Sequence, residues 1–252
     1  MKAYGRFGLL VPSSNVVVED EIVHESVLAG LKTHVSRFKL GEVKLFDIKS
    51  ALSELSESAE EMKDLELDFI VIAGDIISMV DTKLQESEIE VAIERASGGV
   101  KSFCASSTYL GVLKSLSIRE MNLLTPYTKD LHAIEEKYFT TRGIKIRKSI
   151  NFGIETNREI SEIDKIKLTE ELYKINNENI LPTFIGCTNL YTFEAIKLLN
   201  KAFVGPVISS NLCVLFLISS FYMVNNPEFD VNFANTILGH DSLKYLAKMI
   251  NI

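Results

Sequence analysis

The residue types best suited to chemistry in this chain stand at the ends of short apolar runs. Gly186-Cys187-Thr188-Asn189 is the most informative group. Cys187 closes an apolar run and precedes a helical pattern that begins near Tyr191. Its thiol would face the positive end of a helix dipole and free N–H groups, so it can serve as acid, base or nucleophile. The amides of Thr188 and Asn189 are candidates to hold an oxyanion. The competing reading is a small buried hydrophobe, the usual fate of a free cysteine. Cys104 and Cys213 lie inside apolar runs and take that second reading. Pro12-Ser13-Ser14-Asn15 follows the first apolar run. Its hydroxyls, amide and helix-start N–H groups make a carboxylate cradle, and Ser14 or Asn15 can also cap the next helix. Pro126-Tyr127-Thr128 offers a phenol that can donate to an anionic oxygen, or a tyrosine that packs. Asn157, read by itself, is a turn asparagine.

These residues need strands and helices to hold them. Short apolar runs that suit strands covered on both faces occur at Phe7–Val11, Phe69–Ala73, Val100–Cys104, Met121–Leu124, Ile144–Ile150, Thr183–Ile185 and Val207–Ile208. His34–Leu40 has mixed polarity and predicts a less buried strand. Helical patterns lie between them at Ser56–Leu67, Leu84–Ala96, Lys129–Thr141, Ser161–Asn176, Phe193–Ala202 and Leu212–Val224, and His240–Ile252 reads as a packing helix. Glu57–Glu66 reads as a solvated helix face. Alternation of this kind predicts βαβ units and a mostly parallel sheet. Three short motifs recur in the same order: Leu9-Leu10-Val11-Pro12 with Leu123-Leu124-Thr125-Pro126, Val71-Ile72-Ala73-Gly74 with Phe184-Ile185-Gly186-Cys187, and Ala105-Ser106-Ser107 with Ile208-Ser209-Ser210. Their offsets are 114, 113 and 103 residues. The chain is therefore read as two similar α/β halves, 1–118 and 119–252, with the C-terminal helix free to cross over. Ligands of parallel sheets bind beyond the carboxyl ends of the strands. Two such halves would enclose one cleft lined by the motifs above.

The chain has 252 residues, 46% hydrophobic and 24% charged, with a net charge of −7. This is an ordinary globular composition with enough chain to bury a core unaided. The acidic balance argues against nucleic acid or an anionic membrane as the main partner. Three widely spaced cysteines, with no CxxC, fit a reducing compartment. With no secretory h-region and no apolar stretch of spanning length, a cytoplasmic location is expected. His24, His34, His132 and His240 show no metal-ligand spacing, so no metal is expected.

Taken together, Gly8-Leu9-Leu10-Val11-Pro12-Ser13-Ser14-Asn15, Thr125-Pro126-Tyr127, Asn157 and Gly186-Cys187-Thr188-Asn189 resemble the aspartate/glutamate racemase superfamily, in its maleate isomerase and arylmalonate decarboxylase branch. The resemblance covers nearly the whole chain. It implies two pseudo-symmetric, Rossmann-like halves with the active site between them, no metal, flavin or PLP cofactor, a small dicarboxylic acid substrate and a homodimer. Racemases and maleate isomerases of the superfamily carry two cysteines at central strand ends. Here the second is Cys187, and Gly74 stands where the first belongs. Arylmalonate decarboxylases share that glycine. The leading expectation is therefore decarboxylation of a malonate-type acid. Ser14 and Asn15 would hold a carboxylate, Tyr127 and the Thr188 amide the enediolate, and Cys187 would deliver the proton. Asp75 departs from the decarboxylase pattern, which has hydroxyl residues after the glycine. It is expected to turn away and cap a helix. Its other readings are a protonated hydrogen-bond donor, or a base in place of the missing thiol, which would make the chain an isomerase or racemase. A catalytically silent small-acid binding protein is the third reading.

Overall fold

A computed structural model describes residues 4–40, 48–79, 86–178, 181–199, 206–225 and 229. The first half runs β1 (Gly5–Pro12), α1 (Val17–Leu28), β2 (Leu31–Phe38), α2 (Ile48–Glu60), β3 (Phe69–Ile72), α3 (Asp75–Met79), α4 (Glu86–Ala96), β4 (Ser102–Cys104) and α5 (Ala105–Ser115). The second runs β5 (Glu120–Tyr127), α6 (Lys129–Thr141), β6 (Lys145–Ile154), α7 (Asn157–Ser161), α8 (Lys165–Glu178), β7 (Thr183–Ile185), α9 (Phe193–Leu199), β8 (Val207–Ser209) and α10 (Ser210–Asn225). Each half is a four-stranded sheet, ordered β2-β1-β3-β4 and β6-β5-β7-β8, and every pairing is parallel. The identical strand order is what the repeated motifs predict.

Sequence and structure differ at several boundaries. The second strand lies at Leu31–Phe38, three residues earlier than its polarity suggests, because an edge strand alternates too weakly to mark its start. Helix α5 follows the fourth strand directly, over residues where the sequence pattern predicts no helix. Its residues Thr108 to Leu113 are buried on several sides, which hides the helical period. The expected Ser161–Asn176 helix is two helices, α7 and α8. The acidic helix pattern ends at Glu60, short of Leu67, and Lys63–Leu65 is a separate turn of 3-10 helix. His240–Ile252 lies outside the described residues.

Burial ties the two halves into one body. A single apolar core runs from Phe7 and Phe69 through Tyr109 to Phe184 and Phe216. Helix α10 leaves the second half and packs on α5 and α1 of the first. Its Phe221 stacks at 4.4 Å on Phe69, and the Tyr222 hydroxyl donates to Asp68 Oδ2 at 2.8 Å. Helix α5 makes the reciprocal crossing, placing Tyr109 at 5.1 Å from Phe184. Residues 210–220 of α10 are all buried, so this part of the helix is covered all round. Among the described residues no helix is long and apolar enough to cross a membrane.

Candidate active site

The carboxyl ends of β1, β3, β5 and β7 meet where the two sheets face each other. Three consecutive residues after β1 are tied across this junction. Asn157 Nδ2 donates to Ser14 Oγ at 2.6 Å, Asn15 Nδ2 donates to Thr188 Oγ1 at 3.0 Å, and the Val16 amide donates to Asn189 Oδ1 at 3.0 Å. Asn189 Nδ2 closes the network on the Asn157 carbonyl at 2.7 Å. Asn15 also caps α1, its Oδ1 accepting the amides of Val17 and Val18 at 3.0 and 3.1 Å. The capping reading of that asparagine holds. Asn157, expected to be a turn residue on its own account, joins the halves instead. Ser13 does not join this group. Its side chain is exposed and exchanges hydrogen bonds with the backbone of Leu40. Pro12 is buried at the end of β1, against the Cα of Gly74.

Cys187 lies in the junction with 3% of its surface exposed. Its backbone has φ +92°, a region that non-glycine residues occupy at a cost of roughly 1–3 kcal/mol and that clusters at functional sites. The turn is held by its neighbours. The Cys187 amide donates to Asp75 Oδ2 at 2.9 Å, and the Asn189 amide donates to the sulfur at 3.3 Å. Tyr127, buried at the end of β5, hydrogen-bonds the same sulfur. Burial first, and the Asp75 charge second, push the thiol well above its ordinary range, so Cys187 rests protonated. Burial likewise raises Tyr127.

Asp75 corrects the sequence reading. It opens α3 but does not turn away to cap it. Its side chain crosses the junction, where Tyr109 donates to Oδ1, and Ser210 Oγ donates to Oδ2 at 2.8 Å beside the Cys187 amide. Burial raises its pKa against these three donors. An added Cβ at Gly74 would lie 2.7 Å from Ile77 Cδ1, so a side chain there requires that terminal methyl to shift.

The model of the family described as arylmalonate decarboxylase matches residues 7–221. The chain belongs to that family. Among curated relatives, the maleate isomerase of Geobacillus stearothermophilus is 25% identical over 222 residues, which cover 83% of this chain and 88% of the relative. Among solved structures, the maleate cis-trans isomerase of Nocardia farcinica bound to TRIS superposes with a TM-score of 0.81 at 17% identity, covering 98% of this chain and 100% of the other. A cysteine-to-serine variant of that enzyme, at TM-score 0.76 and 20% identity over 85% of this chain and 91% of the other, carries a covalently bound succinylcysteine intermediate. Arylmalonate decarboxylase itself matches at 0.68 and 16% identity, over 86% and 92%. These likenesses establish the shared two-half fold of the family.

Two further acids of this family member, Glu21 and Glu135, are buried beside the junction residues, where the sequence pattern reads both as ordinary helix acids. Glu21 of α1 accepts the amides of Thr192 and Phe193 at 2.7 and 2.8 Å and Asn211 Nδ2 at 2.8 Å, while Asn211 Nδ2 also reaches the Thr188 carbonyl at 3.1 Å. Burial pushes this carboxyl from 4.5 up to about 7, against the pull of those hydrogen bonds. A folded-state value above the unfolded one stabilises fully at low pH, and that contribution is lost as pH rises through about 7. The amount is ~3 kcal/mol. Thermal melts of wild type and Glu21→Gln should therefore diverge across that window, with wild type losing stability as pH rises. A difference independent of pH would refute the assignment. Glu135 of α6 is the second acid, with 0% of its surface exposed. It explains Gly186: a Cβ there would lie 2.2 Å from Glu135 Oε1. An i, i+4 apolar period marks the buried face of α6, but a glutamate on it reads as polar, so the pattern alone passes over it. Among the described residues no group of three or more His, Cys, Asp or Glu is placed to hold a metal ion.

Proposed function

We propose that this protein is a cofactor-independent isomerase of a small unsaturated dicarboxylate of the maleate type. Cys187 is the attacking group and Asp75 its proton acceptor, in place of the thiol absent at Gly74. The observation that carries the reading is the Asp75 carboxyl turned across the junction onto the Cys187 backbone amide, with its charge acting on the thiol of the same residue. A decarboxylase would direct the Cys187 amide and neighbouring hydroxyls at a developing enediolate. Here Asp75 takes the Cys187 amide and the Ser210 and Tyr109 hydroxyls, and a buried carboxylate beside an enediolate is repulsive. This reverses the order in which the sequence alone ranks the two reactions. The curated relatives named as maleate isomerases favour this reaction class, and the succinylcysteine adduct shows that a cysteine adds to the substrate in the Nocardia farcinica enzyme.

The step balances without an outside reagent. The Cys187 proton passes to Asp75, and the sulfur bonds to one alkene carbon. The π pair moves to the other carbon and into its carboxylate as an enediolate. Rotation about the resulting single bond precedes elimination, which restores the double bond and the free sulfur. Asp75 then returns the proton. Ser14, Asn15, Thr188 and Asn157 bracket the substrate carboxylates, and Tyr127 steadies the sulfur.

A second reading, decarboxylation of a malonate-type acid, is favoured by one observation: Gly74 stands where the first thiol belongs and offers no acid or base of its own. The protonated Cys187 would then deliver a proton to the enediolate. Incubation of maleate-type and malonate-type acids in D2O decides between them. The expected result is cis-trans conversion without CO2. Release of CO2 with a singly deuterated acid would establish the second reading, and a ligand-induced thermal shift without turnover of either would leave a binding protein.

A further inference from the structure

We propose that Glu135 is a positioning residue for Cys187: a carboxyl that must stay neutral behind the Gly186–Cys187 turn for the thiol to pass its proton to Asp75, and whose ionisation shuts the site down. The inference rests on the isomerase reading for its catalytic consequence, though not for its effect on the thiol.

The geometry is unusual for a glutamate. The side chain is wholly buried, and neither carboxyl oxygen has a hydrogen-bond partner. Both oxygens lie against the Cα of Gly186, 2.2 and 2.4 Å from where a Cβ would stand, one residue from the reacting sulfur. An unpaired buried carboxylate is costly, while its neutral form needs much less. The charged group facing it is Asp75, from α3. Cys187, after β7, and Tyr127, ending β5, face the same carboxyl, and Tyr109 of α5 joins the group through Asp75. On its own helix His132 is engaged with Thr125 Oγ1 at 2.8 Å and is held largely neutral by burial. Burial first and the Asp75 charge second raise Glu135 well above the usual carboxylate range.

With Glu135 neutral, the cluster carries one negative charge, on Asp75, and transfer of the thiol proton keeps that count. With Glu135 ionised, two carboxylates compete within one dry site. Like charges then hold the proton on Asp75 and on the sulfur, and no acceptor remains. A glutamine at this position could fill the volume, but it could not respond to pH.

Two measurements test this. The first is alkylation of Cys187 by iodoacetamide across about pH 6 to 10, with Cys187→Ala subtracting Cys104 and Cys213. In wild type the rate should fall short of a tenfold rise per pH unit once Glu135 ionises. Glu135→Gln and the similarly sized Glu135→Met should both remove that shortfall and exceed wild type by about tenfold at the alkaline end. Glu135→Asp should restore it. Asp75, Tyr127 and Tyr109 remain in every variant, so only the part lost belongs to Glu135. The second measurement is the pH profile of kcat for cis-trans conversion, whose alkaline limb should move up by about one unit in Glu135→Gln. Superimposable alkylation profiles, or Gln and Met variants that differ from each other as much as from wild type, overturn the inference. Absence of turnover in every protein would overturn the isomerase reading instead, and the alkylation profiles would still decide the role of Glu135.

Discussion

Turnover in a Cys187→Ala variant should fall by about 10⁴-fold or more, while the protein still folds and still binds a dicarboxylate. The expected loss is large because the sulfur is the one group placed to form a bond to carbon. Structure should survive the change. The Cys187 amide that anchors the turn to Asp75 is a backbone group and stays. Alanine tolerates the positive φ no worse than cysteine does. The losses are the acceptor of the Asn189 amide and the partner of the Tyr127 hydroxyl. Each is worth about 1 kcal/mol. The check is kcat beside a ligand-induced thermal shift. Activity within tenfold of wild type would remove Cys187 from the chemistry.

The second large effect is expected at Asp75. Asparagine keeps the shape and can still accept from the Cys187 amide and Ser210, but it cannot take a proton. Asp75→Asn should lower kcat by roughly 10²–10⁴ with KM changed much less. It should destabilise the fold little, because a buried charge is removed, the Cys187 amide and Ser210 keep their acceptor, and the Tyr109 hydroxyl can turn to accept from the new amide. Asp75→Ala should differ sharply. It leaves the Cys187 amide and the Ser210 and Tyr109 hydroxyls unpaired in a buried junction, at roughly 1–3 kcal/mol each. In wild type, activity should rise with pH as Asp75 ionises, over a range shifted upward from that of an exposed carboxylate by burial. Steady-state kinetics and thermal melts of the two variants separate these contributions. An Asn variant with normal kcat would return Asp75 to a structural role and strengthen the decarboxylase reading.

Much of this was readable before any coordinates. The paired sheets follow from alternating apolar runs, and the two halves from motifs that recur in register at strand ends. That Cys187, Asn15 and Thr188 meet at one junction was legible because side chains just past the ends of parallel strands gather there, and the chain marks those places with Pro12, Gly74, Pro126 and Gly186. These are local signals, carried by a few adjacent residues.

Tertiary structure alone decided where Asp75 points, that Ser13 turns out to Leu40, and that Glu21 and Glu135 are buried. The partners of Asp75 lie 34 to 135 residues away and those of Glu21 more than 170, so no short window along the chain contains both members. An acid in a helix reads as solvated until the opposite face of the fold is known. What distinguishes Glu135 is the missing Cβ of Gly186, a contact that exists only once α6 has packed behind β7. Periodicity and turn chemistry act over one element, whereas desolvation acts wherever distant elements close on each other, and here desolvation sets the protonation of the site.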